Sequence, residues 1–68
     1  MGFETRVLKV VADVLGNENS AGFSYGEMEV YCTESEARSI FHRLTTEFYT
    51  NIDVSKVDDY SFKFAFPL

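Results

Sequence analysis

The most regular hydrophobic pattern lies in the second half of the chain, where apolar residues recur every three or four positions, as on one face of a helix. These residues are Ala37, Ile40, Phe41, Leu44 and Phe48. Thr33 and Glu36 match the capping box S/T-x-x-E, in which the two side chains bind free backbone N–H groups of the first helical turn. Glu34 stands four residues before Arg38, a favourable spacing for an ion pair. The pattern predicts a helix from about Glu34 to Tyr49.

Two other segments alternate between apolar and polar residues, which is the pattern of a strand with one buried face. The first is EMEVYC, residues 27–32, and the second is YSFKFAF, residues 60–66, which ends at Pro67. Proline cannot donate a hydrogen bond to a neighbouring strand. We therefore predict two strands, and their inward sides are formed by Met28, Val30 and Cys32 and by Phe62, Phe64 and Phe66.

The N-terminal segment, residues 3–15, fits both types of element. A helix would place Phe3, Val7, Val10, Val11, Val14 and Leu15 on one face and end at Gly16. A strand would have an apolar face of Leu8, Val10, Ala12 and Val14. Valines are common in this segment, and β-branched residues suit a pleated surface. A strand would also pair with EMEVYC through the turn-rich stretch GNENSAG, residues 16–22. We predict a strand, with a helix as the alternative.

The predicted element order is β-β-α-β, an α+β fold within a single domain, residues 1–68. The hairpin makes the first two strands antiparallel, and the helix returns the chain so that the last strand runs parallel to the second. A right-handed crossover then gives a three-stranded, mainly antiparallel sheet in the order 2-1-3. One helix covers one face of this two-layer structure. With a helical N-terminal segment the order becomes α-β-α-β. Residues 50–58 receive no element, although Ile52, Val54 and Val57 could form a short edge strand.

The stretch EVYCTESEARSIF, residues 29–41, runs from a strand through a capped turn into an amphipathic helix. Together with the order of elements from Glu27 to Phe66, it resembles small β-β-α-β proteins that bacteriophages encode. The resemblance implies this architecture and a viral origin, in which case the host cytoplasm is the expected location. It implies no functional residue.

The alternating aromatics of residues 60–66 could pack into a core, or they could stack nucleobases as in RNA-recognition modules. A nucleic-acid-binding surface needs a local excess of Lys and Arg. This chain has 6 basic against 11 acidic residues and a net charge of −5. We therefore predict that the aromatics belong to the core and that nucleic acid is not a partner.

No apolar run reaches the ~18 residues of a membrane span, and residues 1–16 lack the apolar stretch of a signal peptide. The sequence therefore predicts a cytoplasmic protein without a membrane partner. Cys32 is the only cysteine, and such a thiol suits a reducing compartment.

Few residues offer catalytic or metal-binding chemistry. Cys32 and His42 are each the only residue of their type, so a zinc site of Cys and His ligands is excluded. Cys32 shares its side of the strand with Met28 and Val30, which predicts a buried hydrophobic residue rather than a nucleophile. The acidic residues lack the spacing of a calcium loop. We predict no metal, no cofactor and no catalytic residue, and hence a protein that is not an enzyme.

The side of the predicted sheet that the helix leaves open would combine valines and tyrosines with charges of both signs, a mixture typical of protein interfaces. A second stripe, on the predicted helix, contains arginine and tyrosine, which often anchor interfaces. A short chain also gains apolar burial by association. The sequence predicts a non-catalytic protein-binding or assembly module that forms a homo-oligomer or binds another protein. The candidate interface comprises Val7, Val11, Tyr25, Tyr31, Arg38, His42 and Tyr49.

Two other functions remain open at the level of sequence. The first is an acidic inhibitor, of the kind that phages encode, whose carboxylates occupy a nucleic-acid-binding site on a host protein. The second is a small acid–base enzyme, which would depend on the acidic residues and His42.

Overall fold

The computed structural model describes residues 2–17, 19–48 and 51–67. It is an α+β fold in which two helices and four strands follow the order α-β-β-α-β-β. All neighbouring strands are antiparallel, and the sheet order is β1-β2-β4-β3. Both helices share one hydrophobic core with the inward-facing residues of β2 and β4. The elements are α1 (Phe3–Leu15), β1 (Ala21–Ser24), β2 (Glu27–Tyr31), α2 (Glu34–Phe48), β3 (Asp53–Asp58) and β4 (Ser61–Ala65).

The N-terminal segment is a helix, so the predicted strand is wrong and the alternative is correct for this part of the chain. Val7, Val10 and Val11 lie at helical spacing and are at most 2% exposed. Gly16 ends α1 with φ = 87°, and its N–H donates to the Ala12 carbonyl at 2.7 Å. Valine is a weak helix former. In this helix, packing of an amphipathic face outweighs intrinsic propensity, as it commonly does in proteins.

The sheet also differs from the prediction, because it has four strands rather than three and two helices rather than one accompany it. β2 takes its hairpin partner from Ala21–Ser24, part of which was predicted as loop. The turn between them is Tyr25-Gly26, with φ = 50° and 80°. Positive φ at both central residues is the geometry of a type I′ hairpin turn.

The predicted strand order 2-1-3 and the parallel last strand are wrong for a related reason. The unassigned segment contains β3, which forms a hairpin with β4. This extra strand reverses the chain once more, so β4 returns antiparallel to β2 and pairs with it directly. Residue 57 has no partner in the β3–β4 register, which shifts between Lys56 and Asp58 as in a β-bulge.

The helix predicted after Cys32 is confirmed as α2. The Thr33 hydroxyl accepts from the Glu36 N–H at 3.2 Å, and the Glu36 carboxylate accepts from the Thr33 N–H at 2.9 Å. These two hydrogen bonds are the reciprocal pair of a capping box. Arg38 donates to the Glu34 carboxylate at 3.0 Å, one helical turn away.

The aromatic stripe of β4 faces the helices, as the alternation predicted. Phe62 and Phe64 are 4% and 0% exposed. Phe66 is half-buried at the end of the sheet, where its ring meets Phe3 edge-on at 5.1 Å and stacks on Phe23 at 5.9 Å. Aromatic pairs at these distances add to the stability from apolar burial. The three phenylalanines therefore belong to the core or pack against it, whereas Tyr60, which was predicted with them, is 69% exposed.

Candidate protein interface

Two of the seven candidate interface residues are in the interior. Val7 and Val11 are both 0% exposed, on the inner face of α1. They were assigned to an open sheet face because the segment was predicted as a strand. In a helix their spacing of four residues puts them on the same side, facing the core. Their assignment to an interface is therefore wrong.

The two candidate tyrosines are exposed but belong to different places. Tyr25 is fully exposed in the β1–β2 turn, and its φ of 50° is unusual for a residue with a side chain. Tyr31 is 64% exposed at the end of β2, on the face of the sheet opposite the helices. The structure does not bring the two side chains into one cluster with Val7 and Val11.

The remaining candidates were assigned to the second helix. Arg38 and His42 are exposed on α2, four residues apart. Arg38 forms the ion pair with Glu34 described above. Tyr49 lies outside the residues that the structure describes.

The face of the sheet that no helix covers is here called the open face. Residues directly opposite each other in antiparallel strands point to the same side, so the register divides this face into rows. The middle row runs Gly22, Glu29, Lys63, Ser55 across the four strands, and another row runs Ser24, Glu27, Ala65, Asp53. A third row joins Tyr31, Ser61 and Asp58.

Small and acidic residues dominate the open face. Four of its residues are acids, and Lys63 is its only base in the described strands. Ser61 is 2% exposed, and its hydroxyl donates to the Glu29 carboxylate at 2.9 Å. This bond holds one of the carboxylates in place above β4. The four acids are Glu27, Glu29, Asp53 and Asp58.

The opposite layer of the molecule has balanced charge. The two helices contain as many bases as acids once Lys56, whose side of β3 faces α2, is included. The five salt bridges among the described residues all involve Arg38, Arg43 or Lys56, whereas no salt bridge among these residues involves Lys63. Among the described residues, the open face has an excess of three negative charges, from four acids and one base. The charged residues counted for this layer are five acids, Glu4, Asp13, Glu34, Glu36 and Glu47, and five bases, Arg6, Lys9, Arg38, Arg43 and Lys56.

An apolar groove separates α2 from β3. It has a volume of about 480 Å³, and its walls include Phe41 and Val54, which are 37% and 38% exposed. Ile52 and Phe62 line the same groove but are only 6% and 4% exposed. The groove thus joins the surface directly to the hydrophobic core. We call it the α2–β3 groove.

The rim of the α2–β3 groove carries both signs of charge. Glu34 accepts from Arg38 at 3.0 Å and lies 3.9 Å from the Lys56 ammonium. Asp53, at the start of β3, is the fourth charged residue that lines the groove, and it stands where the groove meets the open face. Two acids and two bases around an apolar centre match the usual arrangement of a protein interface.

β3 is the outer strand on this side of the sheet, and all its residues are exposed. It contacts mainly its hairpin partner β4. An outer strand presents unpaired N–H and C=O groups along its free edge. The edge of β3 therefore extends the α2–β3 groove into a surface that offers both apolar side chains and backbone hydrogen-bonding groups.

The sequence did not reveal this groove, although it contained part of the signal. Phe41 was predicted to lie in the core because it shares the apolar spacing of α2. The segment DVSKVD of β3 lacks one-sided alternation, because Val54 and Val57 are separated by three positions. An odd spacing puts two residues of a regular strand on opposite sides, so the pattern could not identify a strand with one buried face.

The chemistry of Cys32 agrees with its predicted role as a buried apolar residue. It is 5% exposed, and burial, followed by the nearby Glu36 carboxylate, raises the pKa of its thiol to about 11. A thiol with this pKa is protonated at neutral pH, and the thiolate is the reactive form. His42, by contrast, is exposed on α2.

Residues 2–17, 19–48 and 51–67 contain no group of three or more His, Cys, Asp or Glu side chains placed to hold a metal ion. Within the same residues, neither helix has the length and apolar character required to cross a membrane.

Comparison with protein families, curated proteins and solved structures found no match for this chain.

Proposed function

We propose that this protein is a non-catalytic protein-binding or assembly module and that the α2–β3 groove is its binding surface. The observation that carries this proposal is that the exposed Phe41 and Val54 and the buried Ile52 and Phe62 line one groove, so that its apolar surface continues into the core. A partner side chain placed in the groove would cover apolar surface that the fold itself leaves in water.

The energetic basis is the burial of that surface. Removing apolar area from water contributes about 25 cal/mol per Å², and interface energy is concentrated in a few well-packed central residues. Phe41 and Val54 are suited to this role because they line the groove from a helix and from a strand and are partly exposed. The charged residues around them match the polar rim that surrounds such a centre.

A photo-crosslinking experiment in cells tests the location of the surface. Phe41 is replaced by a photoreactive phenylalanine analogue, and the matched control carries the same analogue at Tyr31 on the open face. Phe41 is 37% and Tyr31 is 64% exposed, and the analogue keeps the aromatic ring at each position, so both variants are expected to fold. We expect a protein to be crosslinked from position 41 and not from position 31. Crosslinking from position 31 alone would contradict the proposal.

The second candidate is the acidic inhibitor, and one observation favours it. The open face bears four acids and one base, whereas the helical layer is balanced. Carboxylates two residues apart on one strand, such as those of Glu27 and Glu29, stand about 7 Å apart along the strand. A row of negative charges on a flat surface is complementary to a basic nucleic-acid-binding site. The same charge disfavours nucleic acid itself as a ligand.

The same two photoreactive variants distinguish this second candidate. An acidic inhibitor would be crosslinked from position 31 to a nucleic-acid-binding protein, and added DNA would compete with the crosslink. Binding through the acidic face would also weaken steeply with salt, because exposed charges are screened beyond about 8–10 Å at physiological ionic strength. Binding in the α2–β3 groove would depend less on salt.

The proposal of a non-catalytic protein is supported by the state of the two residues with the most reactive side chains. Cys32 is buried with a raised thiol pKa, and its backbone N–H donates to the Tyr60 carbonyl at 2.9 Å. His42 makes no side-chain hydrogen bond to a described residue that would orient its ring. A general base needs such an orienting group and a fixed position relative to a substrate.

A further inference from the structure

We infer that the occupant of the α2–β3 groove is a second copy of this chain, related to the first by a two-fold axis. This inference rests on the proposed function, since it names the partner of the same groove. In such a dimer the two grooves face each other, and Phe41 and Val54 of each copy form a shared apolar centre. A two-fold interface uses the same patch on both copies and must be self-complementary.

The charges around the groove meet that requirement. Its rim carries Arg38 and Lys56 together with Glu34 and Asp53. When such a rim meets a copy of itself, each base has an acid of the other copy available, and the total charge of the two rims is zero. Like charges placed against each other would cost several kcal/mol, and the balanced rim avoids this cost.

The open face fails the same requirement. With Asp53 already counted at the groove rim, two open faces brought together would still place six acids against two lysines, three acids and one lysine from each copy. Lys63 could offset only a fraction of that repulsion. Of the two large surfaces compared, the α2–β3 side is therefore the one that suits a second copy.

The area required by a stable dimer indicates how far the interface extends. A standard interface buries about 800 Å² on each partner, which is between a sixth and a fifth of the 4561 Å² exposed by one chain. The groove alone cannot supply this area, so the edge of β3 must take part. Val57, which is 52% exposed on β3, adds apolar surface there.

A two-fold axis perpendicular to the sheet makes the two β3 strands run antiparallel, side by side. Their free backbone groups can then pair, and the two four-stranded sheets become one continuous sheet. The shift in register after Lys56 interrupts the regular strand before its end. Because bulges limit strand pairing at sheet edges, we place the contact at Val54–Lys56, where the two Ser55 residues lie opposite each other at the axis and Val54 of one copy lies opposite Lys56 of the other.

Light scattering across a concentration series is the first test. We expect the mass to rise to twice the 7.8 kDa of one chain as the concentration increases. A mass of one chain at every concentration up to the high micromolar range would overturn the inference.

Charge substitutions test which surface forms the dimer. Val54→Glu and Phe41→Glu each place two carboxylates in the shared apolar centre, one from each copy, and should weaken association by roughly 100-fold or more, as loss of a central interface residue does. Tyr31→Glu is the matched control, since it adds the same charge at an exposed residue of the open face. A dimer that survives both groove variants, or that only Tyr31→Glu dissociates, would overturn the inference.

Engineered cysteines test the contact between the β3 strands. Ser55 and Ser24 are exposed serines on the two outer strands of the sheet, and the native Cys32 is buried. A disulfide forms readily only when the two Cα atoms approach to about 4.4–6.8 Å. We expect Ser55→Cys to yield a covalent dimer under mild oxidation and Ser24→Cys to remain a single chain. The reverse result would overturn the inference.

These outcomes separate the inference from the proposed function. A chain that is monomeric at high concentration, but is crosslinked from position 41 to a different protein, retains the proposed function and loses the second-copy inference. A dimer held by the open face, with no crosslink from position 41, contradicts both.

Discussion

The two faces of the sheet come from the same strands and differ in almost every property. In β4, Phe62 and Phe64 point to the helices and are nearly inaccessible, while Lys63 between them points to the open face. One step along the strand thus changes the environment from the core to an acidic surface. Strand alternation makes this possible, because successive side chains project to opposite sides. The two faces can therefore be tested with substitutions at adjacent positions.

The faces also differ in the association that they favour. The helix-covered side ends in the apolar α2–β3 groove with a balanced rim, and the open face carries the excess of negative charge. Charge on an exposed sheet discourages unwanted association between copies. Under the proposed function, contact with another protein would therefore occur on the groove side of the molecule and not on the open face.

The largest expected effect is on the covered face. Phe64→Ala should lower the free energy of unfolding by about 3–5 kcal/mol, because it removes a fully buried ring and leaves a cavity. Such a loss is a large fraction of the total stability of a typical native protein, about 5–15 kcal/mol. Denaturant titration followed by circular dichroism measures the change.

Lys63→Ala is the control for this prediction, since it alters the neighbouring residue of the same strand. We expect a change of less than about 0.5 kcal/mol, as for most surface substitutions. Equal losses for the two variants would contradict the difference between the faces.

The next effect is a dependence of stability on alkaline pH that arises from Cys32. Its pKa is about 11 in the folded protein and near 9 in the unfolded chain. A raised pKa means that the unfolded state loses its proton first, so stability is full below about pH 9 and falls as the pH rises towards 11. The slope is about 1.4 kcal/mol per pH unit in this window.

Cys32→Ala provides the comparison, because lysines and tyrosines also titrate at alkaline pH. We expect the free energy of unfolding of the wild type to decrease more than that of Cys32→Ala between pH 7 and pH 11. Any advantage in stability that the wild type has at pH 7 should therefore shrink or reverse. Parallel pH profiles for the two proteins would show that the thiol is not protected from ionisation by the covered face.

A smaller effect is expected from the cap that begins α2 over the covered face. Thr33→Ala removes the hydroxyl that accepts from the Glu36 N–H. Loss of an N-cap side chain costs about 1 kcal/mol, which a thermal or denaturant melt can detect. Thr33→Ser keeps the hydroxyl and serves as the control. If Ser and Ala are equally destabilising, the hydrogen bond is not the source of the effect.

The smallest effect is predicted on the open face. Glu27→Gln removes one of its acids, and Glu27 shares a row with Asp53. Less repulsion should stabilise the fold by up to about 0.5 kcal/mol at low salt, and the gain should vanish at high salt. Unfolding measured at two salt concentrations gives the comparison. A loss of stability, or a gain independent of salt, would indicate that repulsion on this face is unimportant.

The sequence by itself determined α2 and the inward sides of β2 and β4. The signals for these elements are local, because the capping box occupies four consecutive positions and the alternation of each strand can be counted along the chain. The buried Cys32 followed from the same alternation. These features need no knowledge of the strand order.

Only the tertiary structure decided the nature of residues 3–15 and the location of the candidate interface. The valines of residues 3–15 contribute to an apolar face at the residue spacing of a helix and also at that of a strand. Which of the two forms therefore depends on the neighbouring elements that this face can pack against. β3 has no one-sided pattern, because it lies at the outer edge of the sheet and exposes both of its sides. The α2–β3 groove arises because β3 lies beside α2. The residues of the two elements that line it are far apart in sequence, so a local sequence pattern could not predict that they lie together.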